Sequence, residues 1–472
     1  MRYYVNDEYF NSTANNVVFL YIAGEGQAST GWMTSGAWIE TAKKYGAILF
    51  QLEHRFYGQS HPFSRLELRK EKSQQQFVVE THLCNDRIGD LSTENLRYLS
   101  SEQALGDLAT FITAMNKEHN FASDVKWILF GGSYAGSLAA WLRQKYPHLV
   151  QGAMSASGPL FAQLDFPEYL QVVADDLAAY SQECVNVVKE AVHQLDDLLN
   201  NSEYDNITGL FNLCDDIEEN APSPFDRANF FEIIADDFAG VAQYNKNYGR
   251  TISIDDLCDI LTNESLGKEV LRLAEMNKLF SGTRCLDYKY DNTINTLKNT
   301  VITPTGNMRQ WIYQTCTEYG WYQTSSQDDH VFGDYFPIDF FTSLCVDVYG
   351  PEFNETFIKE KIDHTNIFYG GYDIDVSNVV FVHGSVDPWH PMGLTETTNP
   401  DAPVIFINGT AHCANMYGIS ENDLPQLTEA RNEINRLIGE WLEPTAGANI
   451  QLPHSLLFII STTLVSLLFH YV

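Results

Sequence analysis

The sequence predicts an α/β fold, in which a mostly parallel sheet with helices on both faces is interrupted by a large inserted helical cap domain. Two observations lead to this prediction. Strand-like apolar runs alternate with amphipathic helical patterns over residues 1–158, and the alternation returns over residues 371–445. Strands that alternate with helices usually form a parallel sheet covered on both faces. The 472 residues are 44% hydrophobic and can bury a core large enough for more than one domain.

Residues 1–158 make the first part of the predicted sheet domain. The first two apolar runs end in glycine-rich or polar loops, as buried strands do before a connection. The runs lie at 16–26 (NVVFLYIAGEG), 46–60 (GAILFQLEHRFYGQS), 125–130 (VKWILF) and 149–157 (LVQGAMSAS). Helical patterns separate them, which favours a parallel arrangement of these strands.

The segment between the two parts of the sheet domain, residues 159–370, has a different pattern. Strong strand patterns are absent, and apolar residues recur at helical spacing, as in the series from Leu177 to Leu198. We therefore predict a helical cap domain here. The sheet domain then resumes with strand-like runs at 378–389 and 402–413, followed by a last amphipathic helix.

Two segments lie outside this scheme. Residues 64–90 are polar and interrupt a strand-to-helix connection of a kind that normally takes a few residues, so they are interpreted as an atypical insert. Residues 446–472 are predicted to be a hydrophobic membrane-anchor segment. Its last seventeen residues, LLFIISTTLVSLLFHYV, are uncharged and follow a short polar spacer, which is the layout of a glycolipid-anchor signal. A single membrane span and a buried core helix are the alternatives.

Composition restricts the partners and the compartment. The 62 acidic residues against 29 Lys and Arg give a net charge of −33, which repels phosphate backbones, so no nucleic acid partner is expected. Six Asn-X-Ser/Thr sequons, and six cysteines without metal-type spacing, suit an oxidising compartment, and neither a metal nor a cofactor is expected. The sequons begin at Asn11, Asn200, Asn206, Asn263, Asn354 and Asn408, and the cysteines are Cys184, Cys214, Cys258, Cys285, Cys316 and Cys345. We predict a secretory-pathway protein, extracellular, at the cell surface or lysosomal. MRYYVNDEYF has no apolar region, so we expect that a signal peptide is missing from this sequence, with a cytosolic protein as the alternative.

A serine after the strand-like run 125–130 is the first catalytic candidate. In WILFGGSYAGSLAAW, the strand meets Gly131 and Gly132, Ser133 follows, and a helix of small residues starts at once. This is the strand–turn–helix arrangement that presents the nucleophilic serine of an α/β-hydrolase. The usual pattern has glycine two residues after the serine, where this chain has Ala135. The candidate oxyanion donors are the backbone N–H groups of Tyr134, Gly24, Glu25 and Gly26.

Two further residues complete the predicted site. A serine requires a base and an orienting acid, and this fold supplies them in the chain order Ser, Asp, His from loops after later strands. Asp387 lies at the end of one predicted strand, and His412 lies 25 positions further on, in a loop after the next strand. The rival histidines are His383, His390 and His54.

The longest motifs resemble those of a known family. Six motifs are similar to sequences of a family of serine peptidases, namely LYIAGEG, EHRFYGQS, LSTENLRYLSSEQALGDLATFI, GGSYAGSLAAW, HGSVDPWHPMG and NGTAHCANM. That family includes lysosomal Pro-X carboxypeptidase, dipeptidyl peptidase II and thymus-specific serine protease. The motifs GGSYAGSLAAW and DPWH are most similar to those of the thymus-specific branch. The resemblance implies an α/β-hydrolase with a helical cap that cleaves peptides next to proline. It assigns the catalytic triad to Ser133, Asp387 and His412.

The same resemblance has implications for the cysteines and for residues 64–90. It implies the disulfides Cys184–Cys258, Cys214–Cys285 and Cys316–Cys345, whereas the residues alone allow fifteen pairings of six cysteines. Cys84 and Cys413 would then be left over. The resemblance also implies that residues 64–90 are extra, because the family runs from YGQSHP almost directly to LSTENLRYLSSEQAL.

The expected function is that of a serine-type exopeptidase that acts on peptides or proteins through an acyl-enzyme. A carboxylesterase or lipase on the same fold is one alternative, because a triad does not choose between esters and amides. A catalytically inert, membrane-tethered binding protein is another. Glu53 and Arg55 are candidate contacts for a substrate terminus, or they form a structural ion pair. The sequence does not show whether the enzyme removes residues from the amino or the carboxyl end of a peptide, nor whether it forms a homodimer.

Overall fold

Strands of the described residues form one large and one small sheet in the computed structural model. In chain order they are β1 (Tyr3–Asn6), β2 (Val17–Ile22), β3 (Ile48–Leu52), β4 (Lys126–Gly132), β5 (Gly152–Ala156), β6 (Gln163–Asp165), β7 (Gly320–Tyr322), β8 (Val379–Gly384) and β9 (Val404–Ile407). The large sheet has the order β1-β3-β2-β4-β5-β8-β9, and every neighbouring pair is parallel except β1 with β3. The short strands β6 and β7 pair in parallel. The predicted mostly parallel sheet is confirmed.

Helices surround the large sheet and fill the chain between β5 and β8. Those described are α1 (Ala37–Tyr45), α2 (Thr93–Leu96), α3 (Ser101–Glu118), α4 (Tyr134–Lys145), α5 (Glu168–Tyr180), α6 (Gln182–Asn200), α7 (Tyr204–Phe211), α8 (Pro224–Gln243), α9 (Ile254–Leu261), α10 (Glu269–Ser281), α11 (Tyr290–Leu297), α12 (Met308–Gln314), α13 (Ile338–Tyr349), α14 (Glu355–Tyr369) and α15 (Pro425–Leu442). Every residue of β2, β3, β5 and β8 is buried, which requires cover on both faces of the sheet. The architecture is that of an α/β-hydrolase with a helical region between β5 and β8.

The structure describes residues 1–11, 16–62, 89–217, 222–247, 249, 251–303, 305–327 and 330–443. Residues Met1–Trp441 form one compact unit, and of the second unit, Leu442–Val472, only residues 442 and 443 are described. The predicted insert at 64–90, apart from its last two residues, and the predicted anchor at 446–472 therefore lie outside the described residues. Within the described ranges, no helix is long and apolar enough to cross a membrane.

Three disulfides cross-link the helical region. The pairs are Cys184–Cys258, Cys214–Cys285 and Cys316–Cys345, as the family resemblance implies, and they close loops of 74, 71 and 29 residues. Such cross-links stabilise a fold mainly by restricting the unfolded chain. Cys413 is a free, buried thiol, and Cys84 lies outside the described residues. The acceptor asparagines of all six sequons are exposed, as glycosylation requires.

The carboxyl ends of four neighbouring strands lie at one edge of the large sheet. In the parallel register, Gly132 of β4 pairs with Ala156 of β5, and Gly384 of β8 pairs with Ile407 of β9. Loops that leave these ends carry Ser133, Asp387 and His412. The topology therefore brings residues that are 254 and 279 positions from Ser133 along the chain to the same edge of the sheet.

We expect Gly131→Ala to destabilise the fold strongly. An added Cβ at Gly131 would lie 2.0 Å from the carbonyl oxygen of Ala135, so the turn before α4 would have to move. Overpacking of this kind typically lowers the free energy of unfolding by about 1–3 kcal/mol. Gly106→Ala is the matched control, because nothing lies within 4 Å of the added Cβ in the middle of α3. Denaturant unfolding of both variants checks the prediction, and equal midpoints would contradict it.

Candidate active site

Ser133 occupies a strained turn between β4 and α4. Its backbone has φ 59° and ψ −138°, a conformation that a residue with a side chain rarely adopts. The turn is held by a hydrogen bond from the Ser133 N–H to the carbonyl oxygen of Ala156, 2.9 Å long. Strain of this kind persists only where the surrounding structure imposes it, and it is typical of the turn that raises a nucleophilic serine above a sheet.

The glycines around Ser133 are required by close packing. An added Cβ at Gly132 would lie 2.4 Å from the Met416 sulfur and 2.9 Å from the Cys413 sulfur. Ala135, which replaces the expected glycine, faces Gly24, and its Cβ lies 3.6 Å from the position that a Cβ on Gly24 would take. The methyl group of Ala135 therefore fits beside the opposing loop without a close contact.

Asp387 and His412 are joined at the same edge of the sheet. Nδ1 of His412 lies 2.8 Å from Oδ1 of Asp387, and both side chains are almost completely buried. The backbone N–H of Trp389 donates to the same carboxylate oxygen at 3.0 Å. The bond between His412 and Asp387 orients the imidazole with Nδ1 toward the carboxylate, which leaves Nε2 as the nitrogen that can take a proton.

The electrostatics of this pair favour its ionised form. Burial by itself would raise the pKa of Asp387, but the charge of His412 and hydrogen bonds from His412, Ser157 and Trp389 hold it below its ordinary value. Burial would lower the pKa of His412, but mainly the charge of Asp387, with a contribution from Cys413, raises it well above 6.5. Asp387 is thus suited to stabilise an imidazolium that forms when His412 accepts a proton.

The loop of His412 packs against the turn of Ser133. Cys413 follows His412, and its sulfur lies beside Gly132, which precedes Ser133. The Cys413 N–H also donates to the Ser157 hydroxyl at 2.8 Å, just after β5. Nε2 of His412 has no hydrogen-bond partner among the described residues, Ser133 included. Catalytic hydrogen bonds are often long in a free enzyme and shorten when substrate binds.

The rival histidines have other surroundings. His383 lies inside β8, and burial lowers its pKa to about 4, so it is a neutral core residue. Nδ1 of His390 lies 2.9 Å from the backbone carbonyl oxygen of Asp387, so it bonds to the main chain of Asp387 and not to its carboxylate. Nε2 of His54 lies 3.1 Å from the hydroxyl of Tyr134. Of these histidines, only His412 has a ring nitrogen bonded to the Asp387 side chain.

The loop Gly24–Gly26 lies beside the first turn of α4. A Cβ on Gly24 would be 3.7 Å from the backbone nitrogen of Ala135, and Asn307 donates to the Glu25 carbonyl oxygen at 2.9 Å. Burial raises the pKa of the Glu25 carboxyl, whereas a backbone hydrogen bond and the charge of His412 oppose that rise. The loop predicted to supply an oxyanion donor is therefore next to the turn.

A buried polar network holds the side chain of Tyr134. Its hydroxyl lies 3.0 Å from Nε2 of Gln314, whose Oε1 accepts from Tyr57 at 2.7 Å. Nε2 of Gln314 is also 3.1 Å from the Glu318 carboxylate. Gln314 could not be predicted from the sequence, because it lies in the helical region 180 residues from Tyr134 and belongs to no motif.

The arrangement is that of a serine hydrolase, and comparison with known proteins is consistent with it. The family model described as serine carboxypeptidase S28 matches residues 1–82 and 85–434. This chain belongs to the S28 serine carboxypeptidase family. The thymus-specific serine protease of Mus musculus is 32% identical over 457 residues, which cover 94% of this chain and 83% of that protein. The lysosomal Pro-X carboxypeptidase of Mus musculus is 27% identical over 427 residues, which cover 87% of this chain and 78% of that protein.

Family membership makes the chain a serine peptidase, as its motifs predicted. A second relative of the thymus-specific type, from Homo sapiens, is 32% identical over 466 residues that cover 95% of this chain and 84% of that protein. Neither an esterase nor an inert binding protein is favoured by these relatives. Peptides are therefore the substrate class of this S28 peptidase.

Glu53 and Arg55 of the S28 peptidase each form an ion pair with another residue, and their contact with a substrate terminus stays a prediction. Glu53 is fully buried and forms an ion pair with Arg2. Arg55 pairs with Asp107 at 2.7 Å and donates to the carbonyl oxygen of Tyr98 at 2.8 Å. The two residues do not pair with each other, because their charges are neutralised by partners that the sequence pattern did not identify.

An aromatic cluster lies next to Asp387 in the S28 peptidase. The ring of Trp389 lies 5.8 Å from Phe166, 5.4 Å from Tyr169 and 5.8 Å from Trp321. Trp321 has φ 60°, an unusual conformation for a bulky residue, and its Nε1 donates to the carbonyl oxygen of Phe161 at 2.8 Å. The helical region thus contributes rigid apolar surfaces close to the candidate site.

Several carboxyl groups of α5 and α8 are partly buried. Burial raises the pKa of Asp176 to about 8 and that of Asp237 to about 7. The pKa of Glu232 is also raised, by burial and by the charge of Asp236 one turn further along α8. Because an unfolded Asp titrates near pH 4, these groups hold protons in the folded state that the unfolded chain has released.

We expect Asp176→Asn to stabilise the protein at pH 8 relative to wild type and to have little effect near pH 4. Between these values the folded wild type binds a proton at Asp176 that the unfolded chain does not, so its stability falls as pH rises, whereas an amide has no such dependence. Melting temperatures at several pH values give the difference. Glu360→Gln, an exposed acid on α14, is the control. A pH-independent effect of Asp176→Asn would refute the prediction.

Proposed function

We propose that this S28 peptidase is an exopeptidase that cleaves peptides next to proline through an acyl-enzyme on Ser133. The observation that carries the proposal is the buried Asp387–His412 hydrogen bond of 2.8 Å, which lies at the sheet edge where the strained turn presents Ser133. A serine hydroxyl of ordinary pKa is a weak nucleophile, and a base oriented by a carboxylate is what activates it.

The reaction would proceed in two steps. Nε2 of His412 takes the proton of Ser133 as its oxygen attacks the scissile carbonyl, and Asp387 stabilises the resulting imidazolium. His412 then gives that proton to the leaving amine, and the acyl group stays on Ser133. In the second step His412 takes a proton from water as the water oxygen attacks the ester. His412 then gives this proton to the Ser133 oxygen, and the acyl group leaves as a free acid.

The oxyanion would be stabilised by backbone N–H groups. Ser133 precedes α4, so the N–H of Tyr134 lies at the positive end of the helix dipole. Its side chain is fixed by Gln314 and His54, so the donor is held in place before substrate arrives. The second donor would come from the adjacent loop Gly24–Gly26.

Proline would bind at the aromatic cluster. The rings of Trp389, Tyr169, Phe166 and Trp321 offer flat apolar surfaces beside Asp387, which suit the compact ring of proline. One relative is named a Pro-X carboxypeptidase, which supports the same substrate class. Residues 159–370 would act as a cap that limits access to short or terminal segments of peptides.

The three disulfides fit a protein of the secretory pathway or the lysosome, because proteins bound for either place fold in the oxidising lumen of the endoplasmic reticulum. We propose in addition that the protein is held at the cell surface through residues 446–472, which lie outside the described residues. Glycosylation at the six exposed sequons is part of the same proposal.

Turnover of proline peptides tests the catalytic assignment. We expect Ser133→Ala to lower kcat/KM by roughly four to six orders of magnitude and Asp387→Asn by about four, on the precedent of serine triads. Ser281→Ala, a serine at the end of α10 in the helical region, is the matched control and keeps full activity. A proline-containing dipeptidyl amide, a blocked peptide ending in Pro-X and a short acyl ester are compared as substrates. Activity of Ser133→Ala like that of wild type would remove the assignment, and turnover of the ester alone would favour an esterase.

A further inference from the structure

The loop that carries His412 is held by the helical region. Helix α8 ends at Gln243, and the chain continues through Tyr244 to Asn247. The backbone N–H of His412 donates to the carbonyl oxygen of Gln243 at 2.9 Å, and Nδ2 of Asn247 donates to the carbonyl oxygen of His412 at 2.8 Å. Both backbone polar groups of His412 are therefore bound by the end of one helix of the helical region.

The loop is bonded to the sheet domain on both sides of His412. Two residues before it, the carbonyl oxygen of Thr410 accepts from the N–H of Val386 at 3.0 Å. The N–H of Cys413 bonds to Ser157, and the guanidinium of Arg431 on α15 donates to the carbonyl oxygen of Ala414 at 3.1 Å. These bonds position the chain after His412. The peptide groups of His412 itself depend on Gln243 and Asn247, and Asn247 is buried.

The side chains at the end of α8 also contact the imidazole and the aromatic cluster. The ring of Tyr244 meets that of His412 edge to face, with centroids 5.8 Å apart. Oε1 of Gln243 accepts from the hydroxyl of Tyr169 at 2.7 Å and from Nε1 of Trp389 at 3.0 Å. The same residue thus bonds to the backbone of His412 and to two walls of the proposed proline site.

We propose that Asn247 is a positioning residue for His412. Together with the Gln243 carbonyl, its amide group fixes the height and rotation of the His412 backbone, so that Nδ1 keeps its bond to Asp387 while Nε2 stays available to Ser133. The inference rests on the proposed function, because it assigns a role in placing the base of that reaction. A base displaced by about 1 Å typically costs about 100-fold in rate, so a single lost tether has a measurable effect.

The variants Asn247→Ala and Asn247→Asp test the role. The first removes the amide group, and the second is nearly isosteric but replaces the N–H donor by an oxygen. Asn245→Ala is the matched control, since Asn245 lies two residues away and its Oδ1 accepts from the N–H of Ile254 instead. The substrate is the proline peptide that the wild type cleaves fastest, and melting temperatures establish that each variant is folded.

We expect both Asn247 variants to lower kcat by about 10- to 100-fold with little change in KM, and Asn245→Ala to stay within about twofold of wild type. The acidic limb of kcat/KM of Asn247→Ala should also move to lower pH, because a looser His412 loses part of the interaction with Asp387 that raises its pKa. Asn247→Asp adds a carboxyl group beside His412, so kcat is its readout. The titratable groups that face His412 are Asp387, Cys413, Glu25, His383 and Tyr244, and none of them is altered. A residue with a purely structural role would leave that limb in place.

Four outcomes would be informative. Folded Asn247 variants with the kcat and pH profile of wild type would overturn the inference, and so would an equal loss in Asn245→Ala. If Asn247→Ala does not fold, the nearly isosteric Asn247→Asp decides. A wild type without turnover of proline peptides would instead contradict the proposed function, which keeps the two failures apart.

Discussion

The candidate site depends on one buried hydrogen bond, between Nδ1 of His412 and the carboxylate of Asp387. Burial would weaken the charged form of each group, but in contact each stabilises the charge of the other. The pair can therefore be ionised in a place from which water is largely excluded, where electrostatic interactions are strong. Ser133 gains from this only because the strained turn between β4 and α4 presents it at the same edge of the sheet.

The helical region is part of the site rather than a separate cover. Gln314 reaches the Tyr134 hydroxyl behind the proposed oxyanion donor, and Gln243 and Asn247 bind the backbone of His412. Disulfides close loops within this region and restrict its unfolded states. The sheet provides the strand ends from which the candidate catalytic residues project, and the helical region fixes their side chains and backbone. Both therefore contribute to preorganisation, which accounts for a large part of enzymatic catalysis.

Much of the fold and of the candidate site could be predicted from the sequence. The remaining features could not, because they depend on contacts between distant segments of the chain. The parallel sheet, the turn at Ser133, and the loops of Asp387 and His412 follow from local patterns, because strand ends and tight turns have local sequence requirements. The disulfide pairing came from the family resemblance alone. The ion-pair partners of Glu53 and Arg55 were not predicted and Gln314 was missed, since these contacts are set by tertiary packing between segments far apart in the chain. The packing that allows Ala135 beside Gly24 is likewise visible only in three dimensions.

Labelling by a fluorophosphonate tests the central claim most directly, because the reagent requires an activated serine and no knowledge of the substrate. The adduct is located by mass spectrometry of peptides from the wild type, His412→Ala and Asp387→Asn. The account predicts a single adduct on Ser133 in the wild type, its loss in His412→Ala and much slower formation in Asp387→Asn. An unlabelled wild type, an adduct on another serine, or labelling of Ser133 that is unchanged without His412 would contradict it.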